Sequence, residues 1–114
     1  MRNLFRRKPK TFTGVRVTHR AIEIVRDDRV VQFIAKDEIQ IIRVGHDNTS
    51  RMMAGYAIYL HSNEVEGVLV TSDMKGCLDV EDYMLNLPGV NKNNIVAIME
   101  AGTADLIDVW RRLD

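Results

Sequence analysis

The sequence predicts an α+β domain: a bent antiparallel sheet of about six strands followed by two or three C-terminal helices. Three observations carry that expectation. Between Gly14 and Thr71, short runs of apolar residues alternate with polar ones, the period of half-buried strands. Most of these runs are separated by short turn segments, which favours antiparallel pairing in a sheet that curls or closes. After Ser72 the apolar spacing lengthens to that of a helix face.

The elements follow in order. Val15 and Val17 alternate with Arg16 and Thr18 in the first strand. Ile22 and Ile24 flank Glu23, so residues 21–26 read as the second. Asp27-Asp28 supplies a turn, because aspartate side chains bond nearby backbone amides. Residues 30–35, β-branched and aromatic, complete an antiparallel hairpin. Lys36-Asp37-Glu38 is a polar break before a fourth strand over residues 39–44, whose apolar residues on both faces suit a covered position. A long polar loop is expected from Gly45 to Gly55. Tyr56, Ile58 and Leu60 mark a fifth strand, Asn63 to Gly67 a turn, and residues 68–71 a sixth.

Val80, Tyr83 or Met84, and Leu87 then share one helix face. Asp79, Glu81 and Asp82 fall in its first turn, where the helix dipole favours negative charge. Pro88-Gly89 ends it. Asn91 is a good N-cap for the next helix, with Val90 and Ile95 placed as a hydrophobic staple and Ile98 and Met99 on the buried face. Gly102 suits its stop. Thr103 is placed to cap a last short helix with Leu106, Ile107 and Trp110 on one side.

A chain of 114 residues is one domain by size, read here as a basic tail over residues 1–13 and a folded domain over 14–114. Sixteen basic and sixteen acidic residues cancel, which argues against general nucleic-acid binding, since that needs a basic face. The balance is local, however. Arg2, Arg6, Arg7, Lys8 and Lys10 stand together without an acid. Cys77 is the single cysteine, so no internal disulfide forms, which fits a reducing compartment. No apolar run approaches the roughly 20 residues of a membrane span, and the basic start lacks the apolar core of a signal peptide. The expected location is the cytoplasm.

Several segments carry a resemblance. Ile22-Glu23-Ile24, the run Phe33-Ile34-Ala35-Lys36-Asp37-Glu38-Ile39, Ser72-Asp73-Met74-Lys75-Gly76, Leu87-Pro88-Gly89-Val90 and Val109-Trp110-Arg111-Arg112 resemble those of small bacterial proteins of unassigned role with a pleckstrin-homology-like (PH-like) fold. The resemblance implies a bent antiparallel sheet capped by a helix and implies no substrate. It does not extend to phosphoinositide binding, because the first candidate loop, Thr18-His19-Arg20, is too short and holds one arginine. PH-like folds also bind peptides at a sheet edge or helix groove, which needs no sequence signature.

No residue set assembles a catalytic or metal motif. Cys77 precedes a helix start, where the dipole can lower a thiol pKa, but reads first as a small residue at a strand-to-helix joint. His19, His46 and His61 lack metal-ligand spacing and read as surface histidines. Asp73, Asp79, Glu81 and Asp82 lack the pattern of a calcium loop. No glycine motif cradles a phosphate, and no cofactor is expected.

Two features point to contact instead. Arg51, Met52 and Met53 fall in the long loop, where adjacent methionines either form an adaptable contact surface or fold back over the sheet. Arg2, Arg6, Arg7, Lys8 and Lys10, with Leu4 and Phe5, either touch an anionic membrane or form a solvated start. The leading expectation is therefore a non-enzymatic interaction module for a protein or peptide, an immunity-type protein being one variant. The alternatives are a peripheral membrane module held by the basic tail, and a homo-oligomer with Trp110 as anchor or, more simply, as a core residue pinning the last helix.

Overall fold

The computed structural model describes residues 13–47, 55–101 and 106–113. Its architecture is α+β, with two antiparallel sheets and two helices. β1 (Thr13–Val17), β2 (Ala21–Arg26) and β3 (Arg29–Ala35) form a three-stranded meander. β4 (Ile41–Asp47), β5 (Gly55–His61) and β6 (Gly67–Thr71) form a second meander. α1 (Cys77–Leu85) and α2 (Lys92–Ala101) follow, and β7 (Ile107–Arg111) then returns to pair with β4, giving the order β6-β5-β4-β7.

Local chemistry explains the connections. Asp27 and Asp28 both take positive φ, 52° and 65°, so the β2–β3 hairpin turns on two left-handed residues, the geometry that suits the twist of its strands. Lys36–Glu38 forms one turn of 3-10 helix, after which Ile39 is fully buried and the chain enters the second sheet. Asn91 caps α2 as expected, its side-chain oxygen accepting the Asn94 N–H at 3.0 Å. Val90 and Ile95 both pack on the core.

The inner faces bury Val15, Ile22, Ile24 and Ile34 from the first sheet against Ile42, Val44, Ile58, Leu60, Val68 and Val70 from the second. Val80 and Met84 of α1, Ile98 of α2 and Val109 of β7 close the core. The segment after β6 stitches the sheets together. The Val15 N–H donates to the Lys75 carbonyl at 2.8 Å, and Gly14 bridges Lys75 in parallel. The start of β6 lies beside β3 and its extension reaches β1, so this segment crosses the first sheet from one edge to the other.

Four expectations change. Among the described residues the strands number seven and divide between two sheets rather than bending as one. The last short helix is instead β7, because Ile107 and Val109 alternate with Asp108 and pair with β4, a partner more than 60 residues away. Gly45, His46 and Asp47 extend β4, opposite Ala57, Tyr56 and Gly55, rather than opening a loop. Of the three acids expected in the first turn of α1, only Asp79 is there.

Gly76 and Gly89 separate two reasons for a glycine. Both have positive φ, 93° and 83°. A Cβ at Gly76 would lie 2.1 Å from the Val15 carbonyl oxygen, whereas one at Gly89 meets nothing within 4 Å. Gly89→Ala is therefore expected to cost about 1 kcal/mol for the left-handed backbone alone. Gly76→Ala should cost at least about 3 kcal/mol, because backbone must also move. Urea unfolding of the two variants checks the difference.

A candidate strand-accepting seam

β3 and β6 are each the outermost strand of their sheet, and they lie side by side. The ladder alternation fixes which backbone groups they leave free. The Lys36 N–H donates to the Arg20 carbonyl at 2.8 Å. Counting back along the register, Ile34 and Gln32 turn their backbone groups toward β2, while Phe33 and Ala35 turn theirs outward. On β6, the Ser72 N–H donates to the Tyr56 carbonyl and the Ser62 N–H to the Glu66 carbonyl, both at 3.0 Å. Val68 and Val70 thus face β5, and Gly67, Leu69 and Thr71 face away.

Between these edges opens a cavity of about 580 Å³, lined by Val31, Phe33, Glu38, Tyr59, Val65 and Glu66 among others. Its apolar residues stand in solvent. Phe33 is 64% exposed, Val65 80% and Val31 48%. The register shifts at Ile24/Val25 and leaves Val31 without a partner on β2, a bulge that re-aims the edge. Solvated large side chains along an unpaired strand make this edge the candidate site.

The far wall is firmly built. Gly67 has no room for a Cβ, which would meet the Leu60 carbonyl at 2.5 Å and the Tyr59 ring at 2.9 Å. The Tyr59 ring stacks on His61 with centroids 4.3 Å apart. The turn between β5 and β6 is held by Asn63, whose side-chain oxygen accepts the Val65 and Glu66 N–H groups. Glu64 in that turn ion-pairs with Arg43 (2.9 Å) and Arg111 (3.1 Å), and both arginines also pair with Asp108 at 2.7 Å. Hydrogen bonds from these arginines hold the Asp108 and Glu64 carboxyls below their usual pKa range.

The other anticipated residues are not brought into this site. Arg51, Met52 and Met53, and Arg2, Arg6, Arg7, Lys8 and Lys10, lie outside the described residues. His61 was expected at the surface but is only 4% exposed, covered by the Glu64 turn, and among the described residues neither ring nitrogen has a hydrogen-bond partner. Cys77 is buried at the strand-to-helix joint, its thiol donating to the Ser72 carbonyl at 3.3 Å. It sits near Tyr56, five residues and about 16 Å along β5 from His61, so no Cys77–His61 pair forms. The Tyr56 hydroxyl donates to Glu81 at 2.6 Å, and burial with that carboxylate pushes its pKa well up. Asp73 is bonded by the Thr71 hydroxyl. Among the described residues, no three His, Cys, Asp or Glu side chains gather to hold a metal ion.

A second groove, about 820 Å³, runs between β7 and the α1–α2 connection. Its prominent side chains already serve the fold. The Trp110 indole N–H donates to the Pro88 carbonyl at 2.9 Å, and Arg112 lies over the Trp110 ring while donating to the Ile39 and Lys36 carbonyls. Trp110 was expected to anchor an oligomer or to be a core residue pinning a last helix; it instead lies half-buried on β7 and ties that strand to the α1–α2 connection.

No family model matches the chain, and no curated protein or solved structure is significantly similar to it. No helix among the described residues is long and apolar enough to cross a membrane.

Sequence alternation places His61 opposite Leu60 but gives no sign of the turn that covers it. Burial, and secondarily Arg43, lowers its pKa from the usual 6.5. A histidine depressed in the fold is stabilising above its unfolded pKa, and that contribution is lost as pH falls from about 6.5 toward the folded value. Thermal unfolding between about pH 7.5 and pH 5 should therefore show a steeper loss of stability in the wild type than in His61→Phe. Equal slopes would mean that His61 titrates alike in the folded and unfolded states.

Proposed function

We propose that this chain is a non-enzymatic interaction module of PH-like fold that binds a protein partner by pairing an extended segment with the outer edge of β3. The observation that carries the reading is Phe33, the most exposed large side chain of a strand whose outward edge pairs with no other strand among the described residues. Strand addition uses such an edge: main-chain hydrogen bonds supply affinity and alternate side chains supply specificity. The partner segment pairs with one edge only. β3 and β6 approach within 8 Å, less than the roughly 9.6 Å that two strand spacings need. β3 is the better of the two, because Tyr59 lies across Gly67 at the start of β6.

The same edge also permits a second copy of the chain to dock, which keeps the homo-oligomer as the second reading. An immunity-type role is the variant in which the partner is a toxin. The single cysteine, free and buried, suits a cytoplasmic setting.

The probe is a terminally blocked peptide of alternating valine and threonine, titrated into labelled protein and followed by amide hydrogen exchange. The Phe33 amide should exchange freely alone and become protected with peptide, and Phe33→Lys should weaken binding by about 30-fold or more while leaving the circular dichroism unchanged. Protection of Phe33 without peptide, rising with protein concentration, would favour self-association. Exchange unaltered by peptide at every concentration would remove the reading.

A further inference from the structure

We propose that the segment taken up by the seam carries lysine or arginine beside its apolar strand residues, and that Glu38 and Glu66 select it. This inference rests on the strand-accepting reading above. Among the described residues, Glu38 and Glu66 are the only charged side chains lining the seam, and neither is ion-paired. Nearby glutamates differ: Glu23 pairs with Arg16 at 2.7 Å, and Glu64 with two arginines. The seam thus combines an apolar strip, Val31, Phe33 and Val65, with two uncompensated carboxylates, the complement of an apolar strand with basic flanks.

Glu38 has a further part. Its carboxylate accepts the Ala35 N–H at 3.2 Å, and Ala35 is one of the outward-facing residues of the β3 edge. In the free protein Glu38 therefore occupies a donor that strand addition would use. An incoming carbonyl replaces it there, and the released carboxylate lies beside the arriving backbone, ready for a basic side chain. Glu66 stands across the cavity, its carboxylate accepting from Asn63 at 3.0 Å. A basic flank can meet either carboxylate, whereas an acidic flank meets repulsion from both.

Three terminally blocked peptides test this, sharing one valine–threonine core and carrying lysine, glutamine or glutamate at both ends. At low salt the lysine peptide should bind about tenfold tighter than the glutamine peptide, and the glutamate peptide weaker still. The preference should shrink toward unity in about 1 M salt, where screening is nearly complete. The double variant Glu38→Gln, Glu66→Gln should bind the three alike while keeping its dependence on Phe33. Equal binding of all three peptides by the wild type, still lost in Phe33→Lys, would overturn the charge selection and leave the seam standing. Failure of every peptide to bind would overturn both.

Discussion

The hydrogen bond from the Val15 N–H to the Lys75 carbonyl, with Gly76 pressed against the Val15 carbonyl, fastens the β1 edge of the first sheet to the segment after β6. That contact decides which side of the molecule closes. At β1 the sheets are joined by backbone, and the tight packing tolerates no side chain at Gly76. At the other end of the crossing, where β3 meets the start of β6, no comparable bond joins the edges among the described residues, and a cavity remains. The seam is the unclosed side of a sandwich whose closed side is built on one glycine.

An open edge strand is a hazard, and the chain limits it by local means. Arg29 and Lys36 bracket β3 with charge, the unpaired Val31 breaks the flatness of the edge, and Glu38 covers the Ala35 donor. None of these hides Phe33. A protein under pressure only to stay monomeric would place a polar residue there, because Phe33 lies on the outer face beside Glu23 and contributes nothing to the core. The protections at both ends and the exposed ring in the middle are consistent when the edge is kept for one kind of pairing and guarded against others.

Much of the fold was legible in sequence because its signals are local. The alternation in Ile22-Glu23-Ile24, the Asp27-Asp28 turn and the Asn91 cap each act over a few residues, and each stands where expected. β7 was not legible in that way. Leu106, Ile107 and Trp110 fit a helix face, while Ile107, Asp108 and Val109 fit a strand, and only pairing with β4 decides between them. His61 was misplaced for the same reason. Alternation puts it on the outer face of β5, but Glu64, held by arginines from β4 and β7, draws a turn over that face. The seam itself was invisible, since a free edge is defined by which strands fail to pair, and no short stretch of sequence records that.

The wall of the seam connects these long-range effects. The β5–β6 turn carries Val65 and Glu66 into the cavity, and its position is set by four ion pairs that run through Arg43 and Arg111 to Asp108 on β7. Exposed pairs of this kind are individually weak, so they fix the direction of the turn more than its strength. Beneath the turn Tyr59 stacks on His61, and a Cβ at Gly67 would meet the Tyr59 ring and the Leu60 carbonyl, so the far wall of the seam packs closely against β5.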